Sequence, residues 1–156
     1  MTNSTRSALI AALLACFAVM FAALAFASKD PTIDELKARI DSAPTGDRPR
    51  LCLQIAERQL EAASKSFAAD QGDEAKTSLT DVVSFSELAR DNALQSHKHQ
   101  KQTEIAVRSM TRKLNDLKHR VAHDDQPAIQ DAIDRLQRVR DDLLLAMFPH
   151  GRKGNK

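Results

Sequence analysis

The sequence predicts an all-α fold, and three observations carry that prediction. Apolar residues recur at alternating spacings of three and four along several long stretches. Glycine and proline are confined to the boundaries of those stretches, and neither occurs between Asp73 and Gln126. The chain has no Trp, no Tyr and six Phe, so it lacks the aromatics that fill strand-rich cores and line sugar clefts or base-stacking platforms.

The first 27 residues have the order of a secretory signal. Arg6 supplies a weakly positive head, an uncharged apolar run extends from Ala8 to Ala27, and Ala25-Phe26-Ala27 is a small-x-small triplet ahead of polar Ser28-Lys29-Asp30. Cleavage after Ala27 is the expectation. An apolar run of about 20 residues is also long enough to remain as an uncleaved outward-facing anchor, a tether through residues 8–27. Leu13-Leu14-Ala15-Cys16 has the outline of a lipobox, but Phe17-Ala18-Val19-Met20-Phe21 stays apolar where a lipidated chain turns polar. Cys16 is therefore read as part of the signal. The chain is expected to be exported, to the periplasm or cell envelope.

Without Arg6 the 23 basic residues fall to 22, against 21 acidic ones. That balance excludes an overall charge field directed at nucleic acid. Only Cys52 survives cleavage, so no internal disulfide forms, and Cys52 is read either as a small core residue or as an intermolecular bridge.

The elements follow in order. Asp30-Pro31-Thr32 with Glu35 is a capping-box pattern, and Ile33, Leu36 and Ile40 make a short helix over 32–42. Two prolines and Gly46 then set a loop, with Asp47 as the N-cap of the next helix. Leu53, Ala56, Leu60, Ala63 and Phe67 share one stripe of a helix over 48–69. Asp70-Gln71-Gly72-Asp73 reverses the chain, Gly72 supplying the left-handed residue and Asp73 the new cap. From Leu79 to Val121 the register runs without a breaker, which predicts one long helix over 73–123. Its centre, 95–102, holds no apolar residue, so a bend between two helices is the alternative. Asp124-Asp125-Gln126-Pro127 restarts the chain, and Ile129, Ile133, Leu136, Val139, Leu143 and Met147 form the last stripe.

The outer helices match the two apolar halves of 73–123, so the predicted architecture is antiparallel amphipathic helices forming elongated hairpins around a long central helix. A bend near 95–102 converts this to a compact four-helix bundle. The expected domain organisation is a signal over 1–27, a short helix and loop over 28–46, a helical domain over 47–148 and a disordered basic tail over 149–156. The Ala-rich helix, the Gly72-Asp73 turn and Ala75 resemble a tetratricopeptide-like helix pair over residues 50–93. That resemblance implies a helical scaffold that binds other proteins, and it carries no binding residue with it.

Two clusters offer chemistry. His119 and His123 lie four apart, which on a helix places both imidazoles on one face for a shared metal ion, with Asp116 or Asp124 as a further ligand; His97 and His99 are a weaker pair. Within 97–120, Lys98, Lys101, Arg108, Arg112, Lys113, Lys118 and Arg120 outnumber Glu104 and Asp116, a face for an anionic partner. In an exported chain that partner is an acidic protein, lipid headgroup or envelope polymer. No nucleophile elbow, phosphate loop, zincin motif or haem-attachment motif occurs, so no catalytic residue and no cofactor is expected. The function expected is that of an exported, non-enzymatic helical protein acting as an interaction or scaffold module through a protein partner or self-association. A periplasmic metal-binding bundle is the alternative.

Overall fold

A computed structural model describes residues 30–149. The segment read as a signal or anchor, with Arg6, Cys16 and Ala25-Phe26-Ala27, and the residues from His150 onward lie outside the described residues. Five α-helices follow one another: α1 Ile33–Ser42, α2 Arg48–Ala68, α3 Gly72–Ser96, α4 Gln100–Lys118 and α5 Gln126–Met147, with a 3-10 turn over His123–Asp125 before α5. None of these helices is long and apolar enough to cross a membrane.

The capping box forms as the sequence implies. Thr32 Oγ1 accepts the Glu35 N–H at 3.2 Å, and the Thr32 N–H donates to Glu35 Oε2 at 2.9 Å. These bonds satisfy two donors that the first turn would otherwise leave bare. Asp47 is the N-cap residue of α2 but makes no side-chain cap bond. The Pro44 carbonyl instead accepts the Asp47 and Arg48 N–H groups, and Arg48 Nε donates to the Ala43 carbonyl at 2.9 Å.

The turn between α2 and α3 falls where it was expected but works differently. Asp70, at φ 63°, is the left-handed residue, and no glycine among the described residues has positive φ. The Gln71 N–H donates to the Ser66 carbonyl at 2.9 Å and the Asp70 N–H to the Phe67 carbonyl at 3.2 Å, the two bonds of a Schellman motif. Gly72 opens α3 because space is short there: a Cβ on it would lie 3.3 Å from Asp125 Oδ1. Asp125 is held at that point by Lys76 Nζ, 3.0 Å away, and the hydrogen bond to Asp125 pushes the Lys76 ammonium pKa up.

The long central helix is corrected. The chain breaks at His97-Lys98-His99, with His97 at φ 54° and His99 at φ 62°. Ser96 Oγ donates to the Asn92 carbonyl at 2.6 Å as α3 ends, and the Thr103 N–H and Oγ1 both donate to the His99 carbonyl as α4 starts, at 2.8 and 2.9 Å. Two left-handed residues cost about 1–2 kcal/mol each. Bringing Val107, Met110, Leu114 and Leu117 of α4 into the core shared with α2 and α3 recovers more, since burying one such side chain contributes about 1.5–3 kcal/mol.

The result is two antiparallel hairpins stacked on each other. α2 pairs with α3, marked by Gln59 Nε2 donating to Asp81 Oδ2 at 2.7 Å, and α4 pairs with α5, marked by Arg140 on Glu104 and Lys118 on Gln130. α3 lies parallel to α5: Arg135 grips both Glu87 oxygens at 2.9 and 3.1 Å, and Arg90 reaches Asp142 at 2.9 Å. α2 lies beside α4, also parallel, and α1 packs on α2 with Lys37 extending over the Phe85 ring of α3. The buried side chains form a single core. This is the four-helix alternative, and α2 and α3 are the antiparallel pair that the turn over residues 70–73 implied.

The break makes an unusual prediction of sign. Glycine in the middle of a helix costs about 1 kcal/mol, whereas at a left-handed position it relieves strain. His97→Gly and His99→Gly are each expected to stabilise the protein by about 0.5–1 kcal/mol in urea unfolding; a loss of that size would restore the continuous helix.

Candidate functional site

The metal pair does not assemble as a helical face. α4 ends at Lys118, so His119 is its C-cap and His123 opens the 3-10 turn, with extended Ala122 (ψ 153°) between them. The four-residue spacing thus spans a turn, and the imidazoles lose the common face that the metal reading required. His97 and His99 flank the left-handed break. Among the described residues no three His, Cys, Asp or Glu side chains gather to hold a metal ion.

The basic run is also divided. A helix advances about 100° per residue, so Lys101, Arg108 and Arg112 lie on the side of α4 away from the core, and all three are exposed. Arg108 Nε is 3.7 Å from Glu104. Lys118 turns toward α5 and donates to Gln130 Oε1 at 2.7 Å. Lys98 belongs to the break and packs on the loop before α2, where a Cβ on Gly46 would lie 2.8 Å from Lys98 Cδ. Lys113 and Arg120 face α2. The single anionic-partner face is corrected to four separate groups, because the reversal and the early end of α4 aim these side chains apart.

Lys113 and Arg120 form one wall of an open cleft of about 520 Å³ between α2 and α4. Glu57, Arg58 and Glu61 line the α2 wall, Leu60 lies in the floor, and Asp116 lies on the α4 wall. A second hollow of about 220 Å³ continues from it over Phe67, Ala68, Leu117 and Val121, sharing Ser64 and Arg120. The cleft therefore carries charges of both signs on each wall and a floor that becomes apolar toward one end. Glu61 pairs along its own helix with Lys65 at 2.8 Å. That hydrogen bond, then the Lys65 charge, with smaller contributions from Lys113 and Arg58, holds the Glu61 carboxyl below its ordinary range. Ser64 Oγ donates to the Leu60 carbonyl at 3.0 Å, a backbone bond that leaves it without a partner base. The chemistry on offer is charge and shape recognition.

Two polar features elsewhere serve the core. Glu104, with a side chain 8% exposed, accepts from Arg140 Nε at 2.8 Å across α4 and α5. The sequence signal for it was faint: Glu104 adjoins Thr103 on the stripe and was counted only as a charge. Cys52 is fully buried, which corrects the intermolecular-bridge reading. Burial pushes its thiol up to about 11, against a smaller lowering by Arg48.

Three measurements follow. Cys52 is expected to resist thiol reagents at pH 8 until the chain unfolds. Because its folded pKa lies above the unfolded value of 9.0, its contribution to stability is complete below pH 9 and falls as pH rises toward 11; Cys52→Ala removes that part of the alkaline loss in denaturation curves. Arg140→Ala leaves the Glu104 carboxylate with only the distant Arg108 and is expected to cost about 3 kcal/mol in urea unfolding.

The groove and its charges rest on this chain's own geometry. Compared with protein families, curated proteins and solved structures, the chain matches none.

Proposed function

We propose that this chain is an exported, non-enzymatic interaction module of the cell envelope, and that the α2/α4 groove is its docking surface. The observation that carries the reading is the open cleft itself. Glu57 and Glu61 on one side, with Arg58 between them, and Lys113 and Arg120 on the other, with Asp116 between them, flank a partly apolar floor. They offer an incoming surface charges of both signs and an apolar strip, the polar rim and apolar centre of a protein interface. Export is supported by the order of Arg6, the apolar run and Ala25-Phe26-Ala27.

A photo-crosslinking amino acid at Gln54, on the groove, is expected to yield an adduct of defined mass in envelope preparations. The same residue at Ser84, on the exposed side of α3, is expected to yield none. Equal labelling from both positions, or none from Gln54, contradicts the docking surface. N-terminal sequencing is expected to begin at Ser28, and a cytoplasmic chain that retains Met1 contradicts export.

A further inference from the structure

We infer that His97-Lys98-His99 is a hinge through which two copies of this chain exchange their α4/α5 hairpins. In the exchanged dimer each copy carries one straight helix from Gly72 to Lys118, about 70 Å long. The change of backbone is confined to three residues. His97 and His99 are left-handed although neither is glycine. Both edges of the break already hold helical spacing: Ser96 Oγ donates to the Asn92 carbonyl and the Thr103 N–H to the His99 carbonyl, each four residues back. Straightening relieves two left-handed residues in each copy, and no glycine or proline between Asp73 and Gln126 opposes it.

What singles out this break is the register across it. Ala89, Ala93, Ser96, Gln100, Thr103 and Val107 follow one another in alternating steps of four and three, and the same alternation extends back to Leu79 and forward to Leu117. Apart from Ser96 and Gln100 beside the break, every residue of that series is buried. A seven-residue repeat of this kind keeps a single face along a straight, supercoiled helix. A folded-back monomer has no need of it, since its turn can set α4 at any rotation relative to α3. An exchange does need it. α3 is parallel to α5 and α5 antiparallel to α4, so α3 and α4 run in opposite directions and meet at the break. A two-fold axis across the break lays the α3 of one unit end to end with the α4 of the other, and both stripes must then face the same side.

The contacts between hairpins re-form between copies, Arg135 of one on Glu87 of the other and Arg90 on Asp142. Residues 95–102, about 12 Å of helix without an apolar side chain, become a solvated bridge that holds the two units apart. Each α2/α4 groove takes Glu57 and Glu61 from one copy and Lys113 and Arg120 from the other. The exchange does not depend on that groove's docking a partner. Because the hairpins must separate before they trade, the two forms interconvert slowly, and the choice between them is made during folding, where concentration favours the dimer.

Refolding from urea tests the hinge, on protein purified as the cell processes it. After refolding at about 1 μM the chain is expected to be monomeric. After refolding at about 500 μM it is expected to give, in sedimentation velocity, a dimer that persists on dilution. H97A/H99A favours the straight helix and is expected to raise the dimer-to-monomer ratio at least about ten-fold, whereas H97G/H99G favours the break and is expected to lower it by as much. The Gly variant keeps the monomer's own conformation, so it decides the point even where the Ala variant does not fold. A chain labelled at both Thr80→Cys and Asn115→Cys in a Cys52→Ala background, refolded with about a ten-fold excess of the unlabelled Cys52→Ala chain, reads the exchange by pulsed electron spin resonance. Across a straight helix its two labels stand about 50 Å apart in the dimer fraction, whereas the monomer fraction keeps about 15–25 Å. Dimers whose labels stay at the shorter distance are joined without exchange and overturn the inference. So does the absence of a dimer from the original chain at the high concentration, or an unchanged ratio in the Gly variant.

Discussion

Two left-handed residues two positions apart, His97 and His99, determine where every later side chain falls. Were α3 to continue through them, α4 and α5 would pack as a separate hairpin, and Val107, Met110 and Leu114 would meet only α5. The reversal brings them into one core with Leu60, Val82 and Val83. The backbone cost falls on a segment, Gln95 to Gln102, that has no apolar residue to bury and little to lose by leaving the helix. The parallel contacts of α3 with α5, and the α2/α4 groove, exist only because of that turn.

Stacked hairpins need their relative positions specified, and apolar side chains alone specify them weakly. Three polar contacts between helices supply what is missing. Arg135 on Glu87 and Arg90 on Asp142 place α3 along α5, and Arg140 on the nearly buried Glu104 places α4 along α5. The Glu104 pair costs desolvation of both ions, and its worth lies mainly in penalising any register in which that carboxylate has no partner. The seam between α2 and α4 is the one that opens into the 520 Å³ cleft.

Much of this fold was legible in local sequence. The Thr32–Glu35 box, the starts of α2 and α5 at a proline in the first turn, and the apolar stripes each depend on residues within a few positions of one another. The errors came where local signals compete with tertiary packing. Nothing near His97 or His99 breaks a helix, and only the gain from a shared core accounts for their conformation. Gly72 looked like a left-handed cap, yet Asp70 takes that role and Gly72 answers instead to Asp125, 53 residues away in sequence. The end of α4 at Lys118 removed the helical face that His119 and His123 needed. The charges that line the groove were visible, but their meeting across it depends on the interhelical register, which no single stretch encodes.

The proposed function inherits this dependence: a docking groove between α2 and α4 requires that α4 fold back beside α2. Pulsed electron spin resonance between labels at Thr80→Cys on α3 and Asn115→Cys on α4, in a Cys52→Ala background, measures that directly. Stacked hairpins place these positions at similar heights on diagonally related helices, about 15–25 Å apart given interaxial spacings of 8–10 Å. An unbroken helix from Asp73 to His123 would separate them by about 50 Å at 1.5 Å per residue. A distribution centred near the shorter distance is the expected result, and one centred near 50 Å would contradict both the fold and the groove.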